Sequence, residues 1–191
     1  YSIISSLGTY NDAETDFRKA SQLYPNNKNL AFLLIDILIS QGKHDLAMLK
    51  IEDALALFGL DEGTLNAALA VREKICPMQI ENTSKKGTLS LCMIVKNEEL
   101  HLVNCLKSVR DITDEMIVVD TGSMDKTVDI ARAFGAKVFD FPWTGDFSAA
   151  RNYSLAQATG NWILVLDADE VLSQRDFKEL KKIVHRKSST S

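Results

Sequence analysis

Two hydrophobic rhythms divide the chain. Through the first 75 residues apolar side chains return every three or four positions, the spacing of helices that bury one face. This predicts a helix at 11–24, a helical pair over 28–57 and a further helix at 62–75. Gly8, Tyr10, Ala13, Phe17, Ala20 and Pro25 align with Gly42, His44, Ala47, Ile51, Ala54 and Gly59 at a constant offset of 34 residues. A period of that length suits paired helices, because small residues at the crossing let two backbones approach while larger ones fill the flanks.

From Thr88 onward short apolar runs alternate with amphipathic segments, the pattern of parallel strands joined by crossover helices. Strands are expected at 89–95, 116–119, 137–140 and 162–166, and helices at 98–109, 126–134, 147–158 and about 174–185, with Gly135 and Gly160 as helix terminators. The run 163–166 is apolar enough to be buried on both faces. Residues 77–87 (PMQIENTSKKG) follow neither rhythm and read as a linker. The expected organisation is a helical-repeat part over 1–76, the linker at 77–87, and an α/β domain with a mostly parallel sheet over 88–191.

Composition narrows the chemistry. The formal net charge is −4, so no overall basic field draws the chain to nucleic acid. Residues 88–173 hold 13 acidic and 7 basic side chains, and an acidic region that binds an anion calls for a cation. Cys76, Cys92 and Cys105 form no CxxC pair; an odd, scattered set suits reduced thiols and a cytoplasmic location. The longest apolar stretch, 30–39, is interrupted by Asp36 and falls short of the roughly 20 residues that cross a bilayer. No signal peptide is visible, and a chain that opens without Met inside a helical pattern is expected to be a piece of a longer protein.

In an open parallel sheet ligands sit outside the carboxyl ends of the strands. Three polar clusters fall there: Lys96-Asn97-Glu98-Glu99, Asp120-Thr121-Gly122-Ser123 and Asp167-Ala168-Asp169-Glu170. Singly, each has a structural explanation, with Asn97 and Ser123 as helix N-caps and Gly122 in a tight turn. The last cluster is different, because three carboxylates in four residues repel one another. In extended backbone, residues two apart point the same way, so Asp167 and Asp169 are expected to converge on a hard cation such as Mg2+ or Mn2+, which takes carboxylate and phosphate oxygens. No GxxxxGKS or GxGxxG loop is present to cradle phosphate by backbone. Arg151, near the start of a helix, faces the same rim or is a surface arginine; Phe141 and Trp143 line the site or fill core beneath it.

The ordered set LSLCMIVKNEE, IVVDTGSMDKT and FSAARNYSLAQATGNWILVLDADE resembles the nucleotide-binding half of family 2 glycosyltransferases, inverting enzymes of the GT-A fold, with DADE as the DxD motif. The resemblance spans about 88–172. It implies a nucleotide-sugar donor, usually UDP-linked, with Asp120 on the base or ribose, Asn97 and Glu98 near the nucleoside, Arg151 close to base or diphosphate, Asp167 on ribose or metal, and Asp169 on the divalent cation. Ile94-Val95-Lys96 replaces the Pro-Thr-Tyr of many relatives, and Thr121 replaces a second Asp.

The helical repeat resembles tetratricopeptide repeats, with His44 and Gly59 in place of the expected aromatic and Pro. Joined to such a domain, it is similar to bacterial family 2 enzymes that glycosylate peptides, proteins or surface glycans, which implies a peptide or protein acceptor. In the family the acceptor-side general base lies well beyond the DxD motif, so the catalytic base is expected outside this chain, which is expected to transfer little or no sugar alone and to self-associate through uncovered apolar surface. Two other readings remain open. A nucleotidyltransferase would carry a glycine-rich, arginine-containing loop where Val95-Lys96-Asn97-Glu98 stands; a non-enzymatic helical-repeat adaptor would leave the acidic rim unexplained.

Overall fold

The computed structural model describes residues 10–75 and 87–184. Its contacts fall into two compact units, Tyr1–Pro77 and Met78–Ser191. Gly8, Cys76, His185 and nearly all of 77–87 lie outside the described residues.

The first unit is helical: α1 (Tyr10–Leu23), α2 (Lys28–Ser40), α3 (His44–Phe58) and α4 (Glu62–Lys74). Each packs on the next, as short turns between helices require. Asn27 caps α2 and Asp61 caps α4, each accepting a backbone N–H three residues on. Ala47, Ala54 and Ala68 are buried where the helices meet, beside Leu38, Ile51, Leu55 and Leu65. Ala13, the repeat partner of Ala47, is only half buried.

The second unit is α/β: β1 (Leu89–Val95), α5 (Leu102–Val109), β2 (Glu115–Asp120), α6 (Thr127–Ala133), β3 (Lys137–Asp140), α7 (Phe147–Ala156), β4 (Trp162–Val165) and α8 (Gln174–Val184). All strand pairs are parallel and their order is β3-β2-β1-β4. The chain winds outward from β1 to β3 and then crosses to the other side of β1, so the winding reverses between β1 and β4. Cys92, Ile117 and Val119 form a core with Tyr153 and Leu155 of α7. Alternation sends Leu91, Met93, Met116 and Val118 to the opposite face, where right-handed crossovers place α5 and α6.

The structure departs from the sequence reading at five points, the last of them the capping roles of Asn97 and Ser123. The helix expected from Glu98 begins at Leu102, because 97–99 are tied to the loop after β2. β4 is not buried on both faces. Among the described residues it is an edge strand paired to β1 alone, and Trp162, Ile163 and Val165 are 45–47% exposed. Gly135, at φ 81°, does end α6, but Gly160 ends no helix. Its lack of a side chain lets its N–H come within 2.8 Å of Ser90 Oγ. The fourth point concerns the aspartates and follows below. No helix of the described residues is long and apolar enough to cross a membrane.

Candidate functional site

The carboxyl ends of β1 and β2 deliver two loops that bond to each other. Asn97 sits in left-handed backbone at φ 56°, a conformation Asn tolerates better than most residues. Its N–H donates to Ser123 Oγ at 2.9 Å and its Oδ1 accepts from Met124 N–H at 2.7 Å. Glu98 N–H donates to Thr127 Oγ1, and Glu99 N–H to Asp125 Oδ2. Lys126 N–H returns a bond to Glu99 Oε2. Asp120, the last residue of β2, is 6% exposed, and its carboxylate accepts the N–H groups of Gly122 and Ser123. Neither Asn97 nor Ser123 caps a helix; both bridge the loops.

Asp125 and Thr127, passed over in the sequence, are central to this brace. Asp125 Oδ1 accepts from the Thr127 N–H and hydroxyl. Burial pushes the Asp125 carboxyl upward, yet the donors from Thr127 and Glu99 outweigh it and hold the group below its ordinary range. An acid two residues before Thr at a helix start was the available signal.

Beyond β4 the backbone turns. The strand ends at Val165, and Glu170 N–H closes a turn on Asp167 C=O at 3.0 Å, while Asp167 N–H donates to Glu170 Oε2. The expected convergence of Asp167 and Asp169 by strand alternation therefore does not apply: 168–169 lie in the turn, with Ala168 buried and both aspartates exposed. Two residues of α5 pin this segment from beneath. Cys105 Sγ donates to Asp167 C=O at 3.5 Å, and Ser108 Oγ accepts Leu172 N–H at 3.0 Å. Burial first, and then the carboxylates of Glu170, Asp169 and Asp167, push the Cys105 thiol up to about 12, so it stays protonated as a donor.

The structure does bring Arg151 and Asp167 together. Arg151 lies on α7, whose first turn is capped by Asp146 at Ser148 and Ala149 N–H. Its Nη2 donates to Asp167 Oδ1 at 2.7 Å, while its Nη1 is buried with no hydrogen-bond partner among the described residues. Phe141 packs against the sheet core, but Trp143 is 39% exposed and meets Phe147 edge-on with centroids 4.6 Å apart.

No group of three or more His, Cys, Asp or Glu side chains among the described residues is arranged to hold a metal ion. Asp167 and Asp169 nevertheless offer hard oxygens at an open rim. That donor set fits Mg2+ or Mn2+, which commonly take one or two carboxylates and complete their shell with phosphate oxygens and water.

A family model described as glycosyl transferase family 2 matches residues 90–189, just over half of the 191 residues. The chain belongs to that family. The family 2 chain is 56% identical over 93 residues to a TPR repeat-containing protein of Synechococcus elongatus, covering 49% of this chain and 23% of that one. It is 42% identical over 95 residues to an uncharacterized glycosyltransferase of Rickettsia typhi, covering 50% and 32%. It is 38% identical over 108 residues to the SPbeta prophage-derived glycosyltransferase SunS of Bacillus subtilis, covering 52% and 24%. It thus spans about a quarter to a third of the length of these relatives. Among solved structures, glucosyl-3-phosphoglycerate synthase from Mycobacterium tuberculosis in complex with UDP is 28% identical, covering 59% of this chain and 39% of that chain, with a TM-score of 0.37.

Proposed function

We propose that this chain is the donor-binding half of an inverting glycosyltransferase that transfers a sugar from a nucleotide-sugar, UDP-linked, to a peptide, protein or glycan acceptor. The observation that carries the reading is Arg151. A guanidinium carried by α7 spends one nitrogen on Asp167, and its Nη1 has no hydrogen-bond partner among the described residues, at the strand ends of a family 2 domain. A diphosphate oxygen is an acceptor of the right charge for a guanidinium that leaves Asp167.

In this reading Asp120, Asn97 and Glu98 border the nucleoside, Arg151 holds the diphosphate, and Asp167 and Asp169 hold a divalent cation. That cation, Mg2+ or Mn2+, stabilises the negative charge that develops on the departing diphosphate. The chain's own residues bind and orient. The cross-bonded loops after β1 and β2 fix Asn97 and Asp120, and α5 holds the aspartate turn in place through Cys105 and Ser108. Inversion needs a base on the acceptor side, opposite the leaving group, and we assign that role to no residue here. The helical unit serves as the acceptor-side or spacer element, in a cytoplasmic protein of bacterial origin, and the exposed edge of β4 favours self-association of the 191-residue chain.

Saturation-transfer NMR with UDP, GDP and ADP, each with and without Mn2+, tests the donor assignment. Preferential, metal-dependent contact with UDP supports it. Contact with none of the three under either condition sinks it, and preference for GDP or ADP would reassign the base alone.

A further inference from the structure

The Arg151–Asp167 pair is a contact between the residue assigned to the anion and a residue assigned to the cation. From it we infer that Arg151 is a specificity-determining residue: it neutralises Asp167 until a diphosphate claims the guanidinium, so the site accepts a metal–nucleotide complex and discriminates against the free ion. This rests on the donor-binding reading above and deepens it.

The geometry supports an exchange of partners. The backbone that carries Arg151 is anchored, because Ser154 Oγ donates to Arg151 C=O at 2.8 Å within α7 and the neighbouring Ala150 is fully buried. The contact to Asp167 uses one nitrogen and one carboxylate oxygen, where a bidentate fork is available to both groups. Asp167 is 61% exposed and Arg151 27%, so the carboxylate lies on the solvent side of the pair and the cation on the protein side. An anion arriving at the rim competes with Asp167 for Nη2. Once the anion holds the guanidinium, the Asp167 carboxylate loses its counter-charge and its affinity for a divalent cation rises. A free cation, by contrast, must approach a carboxylate already neutralised by a fixed positive charge. Metal and diphosphate therefore promote each other's binding, and linkage requires the effect to be equal in both directions.

The test is a titration of Mn2+ read by the loss of the aqueous-ion EPR signal, with the 191-residue chain, alone and with saturating UDP. Arg151→Gln should bind Mn2+ alone about three- to fivefold more tightly than the wild-type chain, the size expected for releasing an exposed pair. The same variant should lose about tenfold or more in UDP affinity, the loss of a charge-assisted hydrogen bond. Arg151→Lys keeps the charge without the fork; it should match wild type toward Mn2+ alone and still bind UDP weakly. If Arg151→Gln binds Mn2+ alone no better than wild type, or both affinities fall together, the inference is wrong. Failure of the underlying reading looks different: wild type then takes up no Mn2+ even with UDP, or Asp169→Asn leaves that uptake unchanged.

Discussion

Ser90 and Glu115 face each other in register across β1 and β2, and the serine hydroxyl donates at 2.6 Å to a carboxylate whose side chain is 6% exposed. The same carboxylate accepts the N–H and hydroxyl of Thr159, at 2.5 and 2.8 Å, and pairs with Lys137 Nζ at 2.8 Å. Ser90 Oγ in turn accepts Gly160 N–H. One carboxylate thus ties three strands and the α7–β4 connection together at the end of the sheet opposite the candidate site.

Acid should therefore weaken the α/β unit through Glu115. Burial pushes this carboxyl up, but Lys137, Ser90 and Thr159 together outweigh it and hold it at about 2 against an ordinary 4.5. A folded-state value below the unfolded one means the stabilisation is complete above about pH 4.5 and is lost as pH falls toward 2. Glu115→Gln should cost on the order of 2–3 kcal/mol at pH 7 and flatten the acid dependence. Chemical denaturation of both proteins between pH 7 and 3 checks this; curves that stay parallel count against it.

Gly160→Ala should destabilise the same corner. An added Cβ would lie 2.5 Å from Ser90 Oγ, 2.8 Å from Ser90 N and 3.1 Å from Thr88 C=O, so backbone has to give. Overpacking of this kind costs about 1–3 kcal/mol. A midpoint unchanged in urea would show that the loop moves freely instead.

Asp125→Ala removes the acceptor shared by Thr127 and Glu99 N–H and so loosens the two loops that position Asn97 and Asp120. We expect UDP affinity to fall by about tenfold, the equivalent of one or two hydrogen bonds, while Mn2+ uptake without nucleotide stays as in wild type. Calorimetry with UDP and EPR with Mn2+ alone separate the two; a change confined to the metal would place the brace's effect wrongly.

Asp61→Ala should affect the helical unit alone. The carboxylate caps α4 through Thr64 N–H at 2.9 Å and accepts the Thr64 hydroxyl at 2.6 Å. Loss of such a cap costs about 1 kcal/mol. Thermal melting should show it, with UDP binding unaltered.

Periodicity made the element types legible, and with them the parallel sheet and helical pairs, because a two-residue or 3.6-residue rhythm follows directly from which face is buried. Element ends were less so. The start of α5 slips to Leu102 because Glu99 N–H donates to Asp125 and its carboxylate accepts from Lys126 N–H, across loops about 26 residues apart, and no local signal reports such partners. The motif residues fell at the strand ends as read, but their geometry did not. Asp167 and Asp169 were expected to act like strand neighbours, whereas β4 stops two residues earlier and Glu170 folds the segment into a turn. The bond from Arg151 to Asp167 joins α7 to that turn, and sequence spacing does not express it.

Titration calorimetry of the 191-residue chain with UDP, in the presence and absence of Mn2+, on wild type and on Asp169→Ala, bears most directly on the donor-site assignment. Exothermic UDP binding that requires Mn2+ and disappears in Asp169→Ala is the expected result. UDP binding that ignores the metal and survives the substitution, or no UDP binding at all, would contradict the assignment of the acidic turn to a metal–diphosphate site.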